Sequence, residues 1–285
     1  MSSPPTTLVC GNVTLDRVSR GFAPGGPAYY AGQAWRALGA ATRVLTSAAA
    51  DFPRTALHGV SAEVVPAAAT TVFDNRYGPD GSRTQRVEAQ AVRLDPGHLP
   101  DGWRAPDVLH LVPVLSEVEV AAFRDATRPR LTGLCAQGLL RVVGPDGAVT
   151  QPPWRPHPAL LAAVDVLVLS EDDLRGQGDL LPRLAAAVPV VAFTRGSGGC
   201  DLIVRGRPTH VGVFPVREVD PTGAGDVFAA GLLFAMAQGA DPVEAARLGA
   251  GAASFVVEAP GGEALPRVEG AFGRGAQVPV ERPGS

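Results

Sequence analysis

A chain of 285 residues with 46% hydrophobic content suits one large α/β domain or two small ones, and it can bury a sizeable core. A net charge of −3 and a pI near 6.0 offer no basic footprint for nucleic acid, and the longest apolar runs, around residues 227–237 and 184–193, are too short to span a bilayer. All 25 basic residues are arginine, which excludes a P-loop lysine, a Schiff-base lysine and a lysine general base. Any phosphate bound here must be handled by backbone amides, arginine or metal. Residues 1–7 carry no basic segment of a secretory signal. Cys10, Cys135 and Cys200 are odd in number and widely separated, with no CxxC, so free thiols in a reducing cytoplasm are expected.

In chain order, residues 8–16 read as a first strand that ends in Asp16, and residues 17–24 as a short polar link. Gly25-Gly26-Pro27 opens a helix over residues 28–38 that Gly39 closes, and residues 42–47 form a second strand. That β–α–β pattern argues for a parallel sheet. Residues 69–94 break the rhythm: two mixed polar and apolar runs flank Gly78-Pro79-Asp80-Gly81, the signal of a hairpin. Such an insertion is either a lid over a site or an edge decoration.

From Asp107 the α/β alternation resumes, with strands at 108–114, 132–136, 164–169 and 188–194 and helices at 117–126 and 180–187. A second short hairpin is expected around Pro145-Asp146-Gly147, and 151–158 is a Pro-rich surface connection. Residues 195–199 form a glycine turn into a strand at 200–204. The last helix, 242–257, gathers Gly249, Ala250, Gly251, Ala252 and Ala253, small residues that allow close approach of another helix or of a flat ligand. Residues 270–285 are Gly/Pro-rich and are expected to be loose. The expected organisation is one α/β domain over 1–268, a three-layer mostly parallel sheet flanked by helices, with small β lid segments near 12–24 and 69–94 and a tail at 269–285.

The most specific stretch is Val219-Asp220-Pro221-Thr222-Gly223-Ala224-Gly225-Asp226, followed by an apolar run to Phe234. A glycine turn feeding a helix N-terminus is an anion cradle, because unpaired N–H groups and the helix dipole point the same way. A carboxylate would repel an anion held there, so Asp226 makes most sense as a base beside it. An anion hole with an adjacent carboxylate fits phosphoryl transfer to a hydroxyl. Read alone, the stretch is also compatible with a capped turn before an ordinary core helix. A dinucleotide-binding Gly-x-Gly-x-x-Gly is not satisfied after the first strand, where Gly11 stands without partners, so an oxidoreductase reading is poor. His58, His98, His110, His157 and His210 are scattered without metal-ligand spacing.

The eight-residue string resembles the signature of the ribokinase-like (PfkB) carbohydrate kinase family. Gly11-Asn12-Val13-Thr14-Leu15-Asp16 and Gly25-Gly26 are similar to that family's N-terminal substrate strand and Gly-Gly motif, and Thr194-Arg195-Gly196-Ser197-Gly198-Gly199 to its nucleotide loop. The motifs stand in family order from Leu8 to about Pro266.

The resemblance implies Asp226 as general base and the amides of Gly223, Ala224 and Gly225 as the anion hole. It implies Thr194, Gly196, Gly199, Ser170 and Gly251 at the nucleotide, and Asp16, Gly25 and Gly26 at the acceptor. Asp220 and Thr222 match positions that hold a monovalent cation such as K+ in several members, and ATP with Mg2+ is the implied donor. The family's Asn-x-x-Glu appears as Ser170-Glu171-Asp172-Asp173, which leaves Asp173 as the remaining acidic contact toward the metal. Tyr30 replaces a common asparagine and Pro27 a ribokinase lysine, so ribose is not the expected acceptor.

Tyr29, Tyr30, Asn75, Arg76 and Arg86 are expected to line a different acceptor pocket. Residues 71–77 and 133–138 resemble stretches of the inositol-kinase-like branch. The implied function is ATP-dependent phosphorylation of a sugar, cyclitol or related polyol by a monomer or homodimer in the cytoplasm, with no nucleic-acid or membrane partner. The rivals are a nucleoside kinase and a catalytically silent sugar- or nucleotide-binding relative.

Overall fold

The computed structural model describes residues 3–18, 21–77 and 83–281, with backbone only at 76, 77 and 83. Its strands are β1 (Thr6–Cys10), β2 (Thr14–Val18), β3 (Gly21–Gly25), β4 (Ala41–Ala48), β5 (Ser61–Pro66), β6 (Thr71–Tyr77), β7 (Arg83–Ala89), β8 (Val108–Leu111), β9 (Leu131–Cys135), β10 (Val142–Val143), β11 (Val149–Thr150), β12 (Val166–Ser170), β13 (Val190–Thr194), β14 (Cys200–Val204), β15 (Arg207–Val211) and β16 (Val280–Glu281). The α-helices are α1 (Pro27–Ala37), α2 (Val120–Thr127), α3 (Pro158–Ala162), α4 (Leu180–Ala187), α5 (Ala224–Ala237), α6 (Pro242–Val256) and α7 (Ala271–Gly275).

Ten strands form one sheet in the order β16-β15-β14-β13-β12-β9-β8-β1-β4-β5. The pairings from β5 through β13 are parallel and those from β13 to β16 antiparallel. Alternate residues of each strand feed opposite faces, so both layers of helices find an apolar surface. In β12, Val166 and Val168 join the core under α1, α5 and α6, whereas Leu167 and Leu169 join the core under α2, α3 and α4.

Helix α5 is apolar all round and accordingly buried from Val227 to Ala235. Helix α6 is started by Asp241, whose side chain accepts from the amides of Val243 and Glu244, with Pro242 in the first turn. A Cβ on Gly231 would come within 2.9 Å of the Gly249 Cα, and one on Gly249 within 2.6 Å of the Phe228 carbonyl oxygen. The small residues of α6 therefore serve close packing against α5.

Three expectations change. Residues 8–16 are not one strand: the chain leaves the main sheet after Cys10 and re-enters a separate four-stranded sheet, β3-β2-β6-β7, at Thr14. The buried side chain of Asn12 marks the corner: its Oδ1 accepts from the Ser47 amide, its Nδ2 donates to the Val92 carbonyl, and its own N–H donates to Glu117 Oε1. Residues 17–24 are not a polar link: 17–18 end β2 and 21–24 belong to β3, with β2 antiparallel to β3 and parallel to β6, while residues 19–20 lie outside the described residues. The segment expected to be loose packs instead: α7 lies against α6, β16 pairs with β15, and Val278 is buried. The turn at 78–81 and residues 282–285 lie outside the described residues. Among the described residues, no helix is long and apolar enough to cross a membrane.

Candidate active site

Ser170 and Thr194 end adjacent parallel strands and sit side by side in register, and Cys135 ends the next strand along. Carboxyl ends of parallel strands are where open α/β sheets place ligands. The small sheet stands over this edge. Together they enclose a cleft of about 360 Å³. Its lining brings together Asp16, Gly26, Tyr30, Asn75, Ser170, Asp173, Thr194, Gly196, Thr222, Gly223, Ala224, Gly225 and Asp226. The small sheet contributes through Thr14, Asp16, Phe73, Asn75 and Gln85, so it covers the site rather than decorating an edge.

Gly223 is the N-cap of α5 at φ 79, a conformation glycine adopts without penalty, and a Cβ there would collide with the Tyr30 ring. The Ala224 amide donates to the Pro221 carbonyl at 3.1 Å, so of the three amides expected in the anion hole this one is already engaged. Helix geometry leaves the first-turn amides of Gly225 and Asp226 directed out of the helix end. A Cβ on Gly225 would meet nothing within 4 Å, which is the open space a phosphate needs beside the backbone.

Asp226 opens into the cleft, and its pKa is pushed up to about 7. Desolvation is the main cause and the Asp173 charge adds to it, while Arg141 pulls the other way. Asp173 is buried; its Oδ2 accepts from both the amide and the hydroxyl of Ser170, at 2.7 and 2.8 Å. Its Oδ1 has no donor among the described residues. An orphaned buried carboxylate oxygen is what a divalent cation, or water on one, would satisfy. Among the described residues no cluster of three metal-ligating side chains exists, so any such cation must take most of its ligands from phosphate and water.

Asp16 accepts from the Thr14 hydroxyl at 3.3 Å, and a Cβ on Gly25 would strike its carboxylate. Gly25 therefore makes room for Asp16 rather than lining the cleft itself. Gly26, at φ 89, allows β2 to pass close: a Cβ there would lie 2.7 Å from the Thr14 nitrogen. Gln85 donates to Asn75 Oδ1 at 2.8 Å across the hairpin, pairing two amide side chains at the acceptor end. Burial pushes the Tyr30 hydroxyl pKa up, and nearby Asp16 and Asp220 add to the shift. The Arg76 side chain lies outside the described residues, and Arg86 is not among the cleft-lining residues.

Asp220 accepts from the Thr222 amide through Oδ1 and from the Gly261 amide through Oδ2, tying two loops together. Burial raises its pKa, but these hydrogen bonds outweigh burial and hold it below the usual value. Oxygens facing N–H donors lend no support to the monovalent cation expected at Asp220 and Thr222.

Beside the cleft lies a second cavity of about 230 Å³, mostly apolar, lined by Val213, Phe214, Val216, Phe228, Ala250 and Ala253 among others. Thr194, Gly196, Pro221, Ala224 and Gly225 line both cavities, so the anion cradle stands at their junction. Gly199 reaches this cavity, and its positive φ also lets it pass the Val211 carbonyl. Gly251, expected at the nucleotide, packs instead against α7, where a Cβ would lie 2.6 Å from the Ala271 oxygen. Its neighbours Ala250, Ala253 and Ser254 face the cavity in its place.

Sequence reasoning missed Gln85, Gln137, Cys135 and Arg141 as lining residues. Cys135 and Gln137 fall in the 133–138 stretch that resembles the inositol-kinase-like branch, and Gln85 and Arg141 come from segments whose only local signal was a hairpin; it is the fold that gathers all four. Burial is the main cause that raises the Cys135 pKa, with Asp226 and Asp173 adding to it, so the thiol stays neutral beside the carboxylates.

An open α/β sheet capped by a small β-sheet, with a glycine-started helix and a carboxylate at its mouth, defines a ribokinase-like fold. Solved ribokinase-family structures share it. A pyrophosphate-dependent kinase of that family, complexed with a pyrophosphate analog and myo-inositol, superposes with a TM-score of 0.77 at 19% identity over 90% of this chain and 96% of its own. Arabidopsis thaliana ribokinase complexed with ribose and ATP gives 0.71 at 19% identity over 95% and 99%. Residues 145–267 match the pfkB family carbohydrate kinase description. Inositol 3-kinase of Zea mays is 32% identical over 69% of this chain and 49% of its own length, and cytidine kinase of Thermococcus kodakarensis is 24% identical over 85% and 92%. The chain spans about half or less of the length of the first curated relatives it matches. Residues 145–267 thus carry a pfkB-type carbohydrate kinase segment within a ribokinase-like fold.

Proposed function

We propose that the protein transfers the γ-phosphoryl group of ATP to a hydroxyl of a cyclitol, sugar or related neutral polyol, with Asp226 as general base. The observation that carries this is the junction of two unlike cavities at one anion cradle: a polar cleft holding a carboxylate with its pKa near 7, and an apolar cavity beyond it. A carboxyl poised near neutral pH can accept a hydroxyl proton and release it again. An apolar cavity of this size suits a nucleobase and serves no purpose for a bare pyrophosphate donor, the donor of some structural neighbours.

In this reading Asp16, Asn75, Gln85 and Gln137 orient the acceptor's hydroxyls, and Tyr30 and Phe73 form the wall on which its carbon ring rests. The Asp226 carboxylate takes the proton of the attacking hydroxyl. The new bond joins that oxygen to the γ-phosphorus as the bond to the β,γ-bridging oxygen breaks, and the electron pair leaves with ADP. The amides at the head of α5 receive the negative charge of the migrating group, and Asp226 then returns its proton to solvent. Asp173 Oδ1 is where the chain would hold magnesium, through water. Magnesium supplies charge neutralisation on the donor phosphates.

The test is product formation from ATP and from pyrophosphate against a panel of inositols, hexoses, pentoses and nucleosides. Turnover with ATP and a cyclitol or sugar is expected. Nucleoside turnover would favour the nucleoside-kinase reading, and tight ligand binding without turnover would favour a silent sensor. A preference for pyrophosphate would overturn the donor assignment.

A further inference from the structure

The described lining of the cleft carries four carboxylates, Asp16, Asp172, Asp173 and Asp226, and one cation, Arg141. A highly charged phosphoryl group must enter this acidic space, and the chain holds no lysine to receive it. Arg141 is buried, at 9% exposure, just ahead of β10. Its guanidinium lies 5.6 Å from the centre of the Phe73 ring on lid strand β6. The small β10–β11 hairpin that follows Arg141 is fastened to the lid rather than to the main sheet: the Val87 amide on β7 donates to the Gly147 carbonyl at 2.8 Å, and Arg86 bridges to Ala148. Arg141 is thus fixed between the lid and the cradle.

We propose that Arg141 is a catalytic residue whose guanidinium contacts the migrating phosphoryl group, supplying the positive charge that a lysine brings elsewhere. This rests on the phosphoryl-transfer reading of the same cleft. Burying a guanidinium is costly unless charge is nearby to compensate it. Asp226 compensates it in the resting protein, and the transferred group does so during reaction. As the bond to the β,γ-bridging oxygen breaks, negative charge spreads over the equatorial phosphoryl oxygens, and a planar fork of N–H donors suits two of them at once. The charged and titratable groups acting with Asp226 are Arg141, Asp173, Cys135 and Tyr30, of which Arg141 alone is a cation.

The test compares wild type with Arg141→Met, Arg141→Lys and Arg141→Ala on the acceptor identified by the panel. Expected are a fall in kcat of about 100-fold or more for Arg141→Met, an acceptor KM held within a few-fold, and partial rescue of Arg141→Ala by added guanidinium. The acid limb of kcat/KM is expected to move to higher pH in Arg141→Met, because the cation that lowers the Asp226 pKa is gone. Trapping of ADP with aluminium fluoride, a mimic of the migrating group, is expected in wild type and not in Arg141→Met.

A folded Arg141→Met with kcat near wild type, an unmoved acid limb and retained trapping overturns the proposal while leaving the kinase reading intact. A raised acceptor KM with unchanged kcat also overturns it, placing Arg141 on the acceptor instead. A wild-type protein that neither turns over nor traps ADP with aluminium fluoride overturns both readings. Should Arg141→Met fail to fold, Arg141→Lys decides between these outcomes.

Discussion

At the scale of single residues, Asp226 shows how placement makes a reagent. An exposed aspartate is ionised well below neutral pH and is a poor proton acceptor from an alcohol; desolvation at the cleft floor and the nearby Asp173 push its pKa up to about 7. Asp226→Asn is expected to keep the fold and cut turnover by about 100-fold to 10,000-fold. In wild type kcat/KM should rise with pH through an acid limb near pH 7 in the free enzyme, since the base works only when deprotonated. A flat profile from pH 5.5 to 8.5 would remove Asp226 from that role.

The same shift has a sign for stability. Between about pH 4 and pH 7 the folded state holds a proton that the unfolded chain, with an ordinary carboxyl, releases, so this group makes stability fall as pH rises through that window. Asp226→Asn should flatten that fall, as urea midpoints measured at pH 5 and pH 8 would show. That a carboxylate base stands beside an anion cradle was legible in the string Gly223-Ala224-Gly225-Asp226, whereas its raised pKa was not. What was not legible is that the Ala224 amide is already engaged by Pro221, and that Gly223 must lack a side chain because Tyr30 lies across it.

At the scale of elements, α6 does two jobs on two faces. Gly249 presses it against α5, and Ala250, Ala253 and Ser254 open to the apolar cavity. The run of small residues announced that something approaches closely, but neither which residue faces which neighbour nor that Gly251 packs against α7. Ala253→Trp should fill the cavity and raise the KM for ATP roughly tenfold or more, a loss of about 1.4 kcal/mol. The acceptor KM should not change, because Ala253 lies outside the polar cleft. An unaltered KM for ATP would show that the nucleobase rests elsewhere.

The lid is the other instructive element. Its 69–94 hairpin was readable from alternation and turn residues, whereas β2 and β3 were hidden: Gly11, Asn12 and Val13 look like the continuation of β1 until Asn12 and Glu117 are seen to turn the chain. Glu117, buried, accepts from the amides of Asn12, Val114 and Leu115, which ties two distant stretches together at one carboxylate. Contacts at a separation of 105 residues leave no local trace.

At the scale of the whole molecule, the C-terminal segment closes both the sheet and the donor side. Val278 is buried, β16 pairs with β15, and the Gly212 amide donates to the Pro279 carbonyl at 2.9 Å, holding the strand end next to Val213 and Phe214 of the apolar cavity. Removing residues 276–285 should expose the Val278 contact surface, costing about 1.5–3 kcal/mol, and lower Tm by roughly 4–8 °C. It should also raise the KM for ATP more than that for the acceptor. A truncated protein with unchanged Tm and unchanged KM for ATP would show that the segment contributes to neither.

The amino-acid sequence alone determined the α/β alternation, the glycine-started helix with its carboxylate, the expectation of three free thiols and the exclusion of lysine chemistry. These are local or compositional properties, carried by residue type and spacing within a dozen positions. Tertiary structure decided that Asp16, Gln85, Gln137, Arg141 and Asp226 share one cleft, that an apolar cavity adjoins it, and that the small sheet covers it. It alone could do so, because the pKa of Asp226 and the position of Arg141 depend on what packs against them, and those neighbours are joined only by the folded chain.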